Sequence, residues 1–495
     1  MTLLLLLAPI GLPLAAALVY ASAGWRSRTT AWVGVVTTAL LAVDTIALAV
    51  AVTRRGPTAT AGGLIRADAL SAWMLLGVAA VALLACWASP AYLAAAHTPT
   101  RRARWYGILL HLFVAAMATA VLAGNLGILW VAVEATTIVT AFLVGHHRDR
   151  PALEAAWKYV VICSAAIAIA FLGLVLLYYA GRHAGLSGED ALDWAALTRH
   201  ARQLDPAVTR IAVGLAVLGF GAKAGLIPLH AWLPDAHSQA PAPVSALMSG
   251  VLLPVALYAV LRVKAVADPT LGTGYLRTLL LVLALATLAL AALLLIGQRD
   301  YKRMLAYSSM EHMGLIALAA AIGTPLAVAA LLLHMAGHGL AKTVAFLSSG
   351  HILHSHRGSH ITDVRALATR MPLLAGLFGL AVLALLGFPP AALFASELGI
   401  ARAGTTAGLT WATAAAFALA LVAFAALTVH TGRMLLGPPP APVTVGAETS
   451  DMPAAFTVTM AAPLIAGLLG VAALGITLGP AADLLRAAAS VVAAR

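Results

Sequence analysis

Charge is scarce in this chain. Asp, Glu, Lys and Arg make up 10% of its 495 residues, while 62% are hydrophobic and the mean hydropathy is +0.97. That balance excludes a soluble globular protein and indicates a polytopic membrane protein. Cysteine is nearly absent. Cys86 and Cys163 both lie in apolar segments, which excludes a disulfide framework and a thiolate metal centre. Aromatics are only 6%, and no basic stretch is interleaved with them, so nucleic-acid binding is excluded. The chain also lacks a nucleophile elbow, a P-loop, a dinucleotide-binding fingerprint and a cysteine cluster, so no flavin, haem or iron–sulfur cofactor of its own is expected. The formal charge of +12 reads as loop Lys and Arg facing anionic lipid headgroups.

What the chain has in quantity is apolar runs of about 20 residues. They fall at 2–22, 30–53, 69–90, 105–123, 126–145, 154–180, 206–236, 240–264, 275–296, 302–322, 325–353, 371–400, 408–434 and 453–478. The first is too long and apolar for a signal peptide and is read as a spanning helix. The expected fold is therefore an all-α polytopic membrane protein of about fourteen spans, forming a single membrane domain over 1–495. The longest polar connection is 181–205. A Pro-rich loop covers 438–453, and the tail from Gly479 is expected to be a short surface helix. Lys and Arg lie almost wholly in the connections, with only Lys223 and Lys342 well inside spans. RRAR (101–104), HRDR (147–150) and RDYKR (299–303) follow odd-numbered spans, which places both termini outside the cytoplasm.

Two spans are broken. GFGAKAGLIPLHAWLP carries Gly219, Gly221 and Gly225, then Pro228 and Pro234; LLGFPPAALFASE carries Gly387, Pro389 and Pro390. Proline removes a backbone donor, and a broken helix at membrane depth is tolerated only inside protein or beside a cavity. The breaks are five spans apart. An odd offset inverts topology, so two inverted repeats are expected, 105–264 and 275–434, flanked by N-terminal helices in 1–100 and by a last helix and tail in 453–495.

Ionisable groups at depth are costly and mark ion or proton paths. HMAGHGLAK sets His334, His338 and Lys342 on one helix face over about 12 Å. Histidine relays protons through either ring nitrogen near neutral pH. Ligation of a metal by His334 and His338 is the weaker reading, because no carboxylate or Cys stands at matching spacing. Glu134 lies midway along its span, with Lys223 as its natural partner. Glu397 follows the second break, at the opposite end of the stripe. Glu311 and His312 either extend the path or sit near the headgroups. His230 and His237 flank the end of the first broken span, and His230 is the better path candidate. His351 and His354 are interfacial, and isolated Asp44 suggests a partner contact or a local hydrogen bond.

LWVAVEATTIVTAFLVG, GFGAKAGLIPLHAWLPDAHSQAPAPVSALMSGVLLPVALYAVLR, DYKRMLAYSSMEHMGLI and HMAGHGLAKTVAFLSSGHIL resemble the antiporter-like membrane subunits of respiratory complex I and its relatives. The similarity covers about 65–435. VEATTIVTAFLV, SALMSGVLL and SSMEHMG are most similar to the F subunit of hydrogenase-4-type, group 4 nickel–iron hydrogenases. The resemblance implies two inverted five-helix repeats and a proton path through Glu134, Lys223, His334, His338, Lys342 and Glu397. It also implies homologous membrane subunits and a peripheral redox arm as partners, in the plasma membrane. One departure stands out: relatives often carry Lys or His on span 8, where this chain has Ser249 and Pro254. Bridging there falls to water, Ser245, Ser249 or His230. Other readings are a subunit of a Na⁺/proton antiporter complex, the membrane half of an inorganic-carbon uptake system beside a carbonic-anhydrase-like protein, and a non-conducting scaffold.

Overall fold

The computed structural model describes residues 2–26, 29–356, 358–438 and 456–493; most of the expected loop 438–453 lies outside them. Seventeen helices of eight residues or more are present among the described residues: α1 (Thr2–Ala23), α2 (Val33–Arg55), α3 (Ala69–Ala95), α4 (Thr100–Leu122), α5 (Leu126–Val144), α6 (Arg150–His183), α7 (Pro206–Lys223), α8 (Trp232–Gln239), α9 (Ala242–Leu271), α10 (Thr273–Ile296), α11 (Tyr301–Ile322), α12 (Pro325–His356), α13 (Pro372–Leu385), α14 (Ala392–Thr406), α15 (Thr410–Leu436), α16 (Val458–Ile476) and α17 (Ala481–Val492). Thirteen are long and apolar enough to cross a membrane, and the α13–α14 pair stands where the remaining span is expected. The protein is an all-α polytopic membrane protein. Among the described residues the one sheet is a small hairpin, Thr58–Thr60 against Ile65–Ala67, which the sequence pattern did not suggest.

The span starts are set by short acceptor side chains. Asp68, Asn125, Asp149, Asp205 and Asp300 sit just before α3, α5, α6, α7 and α11, and each carboxylate or amide oxygen accepts from a first-turn backbone N–H at 2.8–2.9 Å. These groups satisfy donors that no helix can satisfy internally.

Burial grades from the rim inward. α1, α2, α15 and α16 expose Leu4, Val43, Leu421 and Leu469, as hydrocarbon-facing helices do, whereas every residue in the apolar windows of α9 and α11 is buried. Small residues permit this packing. A Cβ on Gly173 of α6 would stand 2.5 Å from Ala212 O of α7, and Gly250 of α9 meets the backbone of Gly339 of α12 in the same way. Around Gly250 the helix opens into a π turn, Met248–Leu252.

Both breaks turn on a glycine in the left-handed region, Gly225 (φ +84°) and Gly387 (φ +66°). At the first, the backbone groups freed by the break find partners: Trp232 Nε1 donates to Ala222 O at 3.1 Å, and Ile227 N donates to Thr287 Oγ1 of α10 at 3.1 Å.

The expectation that only Lys223 and Lys342 lie deep is corrected. Arg262, Lys264 and Lys302 are also buried in helices. Arg262 forks onto Asp68, with Nη1 and Nη2 each donating at 2.6 Å, and stacks its guanidinium 4.1 Å from the Trp194 ring. Lys264 pairs with Asp268 one turn on, which lets α9 run to Leu271 rather than end at 264. The tail helix α17 lies against α3 and α12 through Leu484, Leu485, Ala488 and Val492.

Candidate functional site

Lys223 is the last residue of α7 and is wholly buried. Its Nζ donates to Thr137 Oγ1 of α5 at 2.8 Å and to Tyr159 OH of α6 at 2.7 Å, and it stands 4.6 Å from the Tyr159 ring centroid. Thr137 Oγ1 in turn donates to Glu134 Oε2 at 3.1 Å, while Ser164 Oγ donates to Glu134 Oε1 at 2.8 Å. The expected direct Glu134–Lys223 pair is therefore replaced by a three-membered link. Thr137 lies one turn beyond Glu134 on the same face, so its hydroxyl meets the amine first. Thr137 and Ser164 also line a groove of about 960 Å³ between α4, α5 and α6, so the Glu134 end borders the protein's outer face.

The stripe on α12 is buried throughout: His334, His338 and Lys342 have no exposed surface. Lys342 Nζ donates to Leu305 O at 2.8 Å and to Ser308 Oγ, both on α11. At the other end, His334 Nδ1 meets Ser396 Oγ of α14 at 2.9 Å, and that hydroxyl donates to Leu393 O at 2.8 Å. Ser396 is thus the acceptor, His334 carries its proton on Nδ1, and His334 Nε2 is left to accept from His312 Nδ1 at 3.1 Å. The His312 ring lies 5.1 Å from the His338 ring, and Glu311 Oε2 lies 3.5 Å from His312 Nδ1. Glu311 and His312 are core groups, 1% and 0% exposed, and not headgroup neighbours. One ligand-type atom from each of His312, His334 and Glu397 falls within 4.8 Å of the others. The carboxylate that local spacing failed to supply comes from α14.

Of the two histidines flanking the end of the first break, the structure buries His237 and leaves His230 half-buried. His237, on α8, is wholly buried and stacks on Phe346 at 5.0 Å, one turn along α12 from Lys342. His230 lies half-buried on the connection before α8, with Nδ1 3.2 Å from Pro228 O, and is not brought to the cluster. Its place in the chain follows from the turn at Gly225, which points the connection outward. Ser245 Oγ donates to His237 O at 3.0 Å, and the π turn presents Ser249 Oγ to Ser309 Oγ at 2.8 Å. Among the described residues no direct hydrogen bond joins the Lys223 group to the Lys342 group. Lys302, read from the sequence as a loop charge, donates to Ser238 O at 2.7 Å and Ala240 O at 2.9 Å at the end of α8. His351 and His354 sit against Phe456 and Tyr92 near the end of α12. Asp44 is half-buried, and its Oδ2 has no hydrogen-bond partner among the described residues.

Residues 123–423 match the family described as NADH:quinone oxidoreductase/Mrp antiporter, transmembrane region. The chain is 40% identical to a hydrogenase-4 component F homolog of Methylacidiphilum infernorum over 294 residues, which is 59% of this chain and 62% of that protein. It is 30% identical to hydrogenase-4 component B of Escherichia coli over 67% of this chain and 50% of that protein. The chain thus spans about half to three fifths of the length of these curated relatives. Among solved structures, a chain of the membrane-bound sulfane sulfur reductase, an archaeal respiratory membrane complex, superposes with a TM-score of 0.85 at 26% identity, covering 99% of this chain and 97% of that one.

Proposed function

The chain belongs to the NADH:quinone oxidoreductase/Mrp antiporter transmembrane family, and on that premise we propose that it translocates protons as a non-redox membrane subunit of a larger, redox-driven complex. The observation that carries this reading is the buried row Lys342–His338–His312/His334–Glu397, drawn from α11, α12 and α14. Four helix-buried bases and a carboxylate in one row have no packing rationale and a clear transfer rationale. Glu134, Thr137 and Lys223 form a second, shorter row. The amine, the hydroxyl and the carboxylate are each within donating distance of the next, so a proton can pass along them. Withdrawal of Glu134 and Thr137 from Lys223 removes its acceptor, and the proton then moves inward through His237, Ser249 and water toward Lys342.

In this reading 105–264 and 275–434 are inverted repeats, each carrying one glycine-turned break beside one row. Both termini lie outside the cytoplasm, in the plasma membrane. The partners are homologous membrane subunits and a peripheral redox arm of the hydrogenase-4 or NADH:quinone oxidoreductase kind. Electron transfer takes place in that arm. A sodium path is the poorer reading, because hard cations call for clustered oxygens, and the interior here is lined with Lys and His.

The test is proton uptake by vesicles holding the purified complex, comparing wild type with Lys223→Ala, Lys342→Ala and Glu397→Gln. Uptake falls in all three while assembly and redox turnover persist. If all three pump at the wild-type rate, the buried charges are structural and the chain is a scaffold.

A further inference from the structure

The junction of α11, α12 and α14 has the donor set of a metal site, and we infer that His312, His334 and Glu397 bind one zinc-type divalent ion. Three observations converge. His334 Nε2 and His312 Nδ1 are 3.1 Å apart, close to the spacing of two ligands that share one ion at about 2.0–2.1 Å. The ligand atoms of all three residues lie within 4.8 Å of one another, so modest side-chain rotation closes the set. The third donor has an open oxygen: Glu397 is only 9% exposed, and its Oε1 has no hydrogen-bond partner among the described residues.

The surroundings suit a ligand set. His334 holds its proton on Nδ1, against Ser396 Oγ, which is itself anchored on Leu393 O. That outer bond fixes the ring with its Nε2 lone pair turned into the junction, as the second contact of a metal-bound imidazole does. His312 Nε2 has no hydrogen-bond partner among the described residues. On binding, the ion takes the position of the proton between the rings, His312 carries that proton on Nε2 instead, and any proton on Glu397 is released to solvent. Two imidazoles and one carboxylate leave a fourth position open, the pattern of a His₂Glu zinc site. Glu311 Oε2 lies 3.5 Å from His312 Nδ1.

The inference stands on these distances and not on the proton path. Its consequence for transport rests on that path: an ion here replaces the shared proton, ties three helices together and stops transfer along the row.

The experiment is zinc titration of the full chain in its complex, against a competing chelator, with Co²⁺ absorption as a readout of coordination. Wild type retains one ion per chain with a visible Co²⁺ band of low coordination number. His334→Gln and Glu397→Gln each lose that band and weaken zinc at least tenfold. Absence of retained zinc in wild type, or unchanged stoichiometry and spectrum in both variants, overturns the site. The two readings separate in vesicles. Zinc bound without slowed proton uptake leaves the site standing and removes the row from the path. Slowed uptake at zinc levels matching the titration supports both.

Discussion

Glu134 and Lys223 meet only through Thr137, whose hydroxyl accepts from the amine at 2.8 Å and donates to the carboxylate at 3.1 Å. The threonine makes the acid–base pair a relay. Thr137→Val keeps the shape and removes the link. A hydrogen bond to a charged group is worth about 1.5–3 kcal/mol, so proton uptake is expected to fall roughly ten- to hundredfold. Thr137→Ser retains most of it. Equal vesicle uptake rates for the two variants would take Thr137 out of the path.

His237 and His230 give opposite expectations. His237→Gln removes a buried base beside Lys342 and lowers proton uptake severalfold with the complex assembled. His230→Gln alters a half-buried group bonded only to Pro228 O and leaves uptake near wild type. The reverse order in the vesicle assay would restore His230 as the bridge.

Gly387→Ala carries two penalties. The residue sits at φ +66°, and a new Cβ would strike the Glu397 carboxylate. The carboxylate is displaced, and uptake falls about as far as in Glu397→Gln. Gly274→Ala, where a Cβ meets nothing within 4 Å, serves as the control and changes stability by less than about 0.5 kcal/mol. If the Gly387 variant pumps normally, the carboxylate position is not critical.

Arg262→Met strands the Asp68 carboxylate in a buried site, at a cost of about 3–5 kcal/mol. The double variant Asp68→Leu, Arg262→Met recovers part of that loss, because no unpaired charge remains, while losing the cap on α3 costs about 1 kcal/mol. The check is thermal unfolding of the purified chain in detergent. A single variant as stable as wild type would mean that the pair does not hold α3 to α9.

The spans were readable because hydrocarbon demands apolar length and because Asp or Asn caps mark several starts. The charged members of the rows were readable for the same reason, since a Lys or Glu inside such a run has no cheap explanation. Thr137, Tyr159, Ser164, Ser308 and Ser396 were not. A hydroxyl in a membrane helix bonds its own backbone as readily as a neighbour, so nothing in a single sequence marks those that reach across. Asp68 and Arg262 are 194 residues apart, and no local pattern joins them. Lys302 was misplaced because it sits in a basic cluster that reads as a loop, while α8 lends its terminal carbonyls to the amine. Glu397 was found as a charge, yet its meeting with His312 and His334 depends on how α14 emerges from the second break.

The first break is braced: Trp232 holds the carbonyl of Ala222, and Thr287 holds the amide of Ile227. A hinge needs those groups free to exchange partners as it swings. One bond ties α8 to α7 and the other ties the connection to α10, so rocking of one half-helix against the other has to break both. On the proposed path, opening and closing then fall to small changes, such as rotamer changes of Lys223, His237 or Glu397 and the threading of single waters. Rotamer flips of exposed side chains run on picosecond-to-nanosecond times; Lys223 and His237 are wholly buried, so their flips also wait on the packing around them. On the proposed function, the path is then a set of switches mounted on a braced frame.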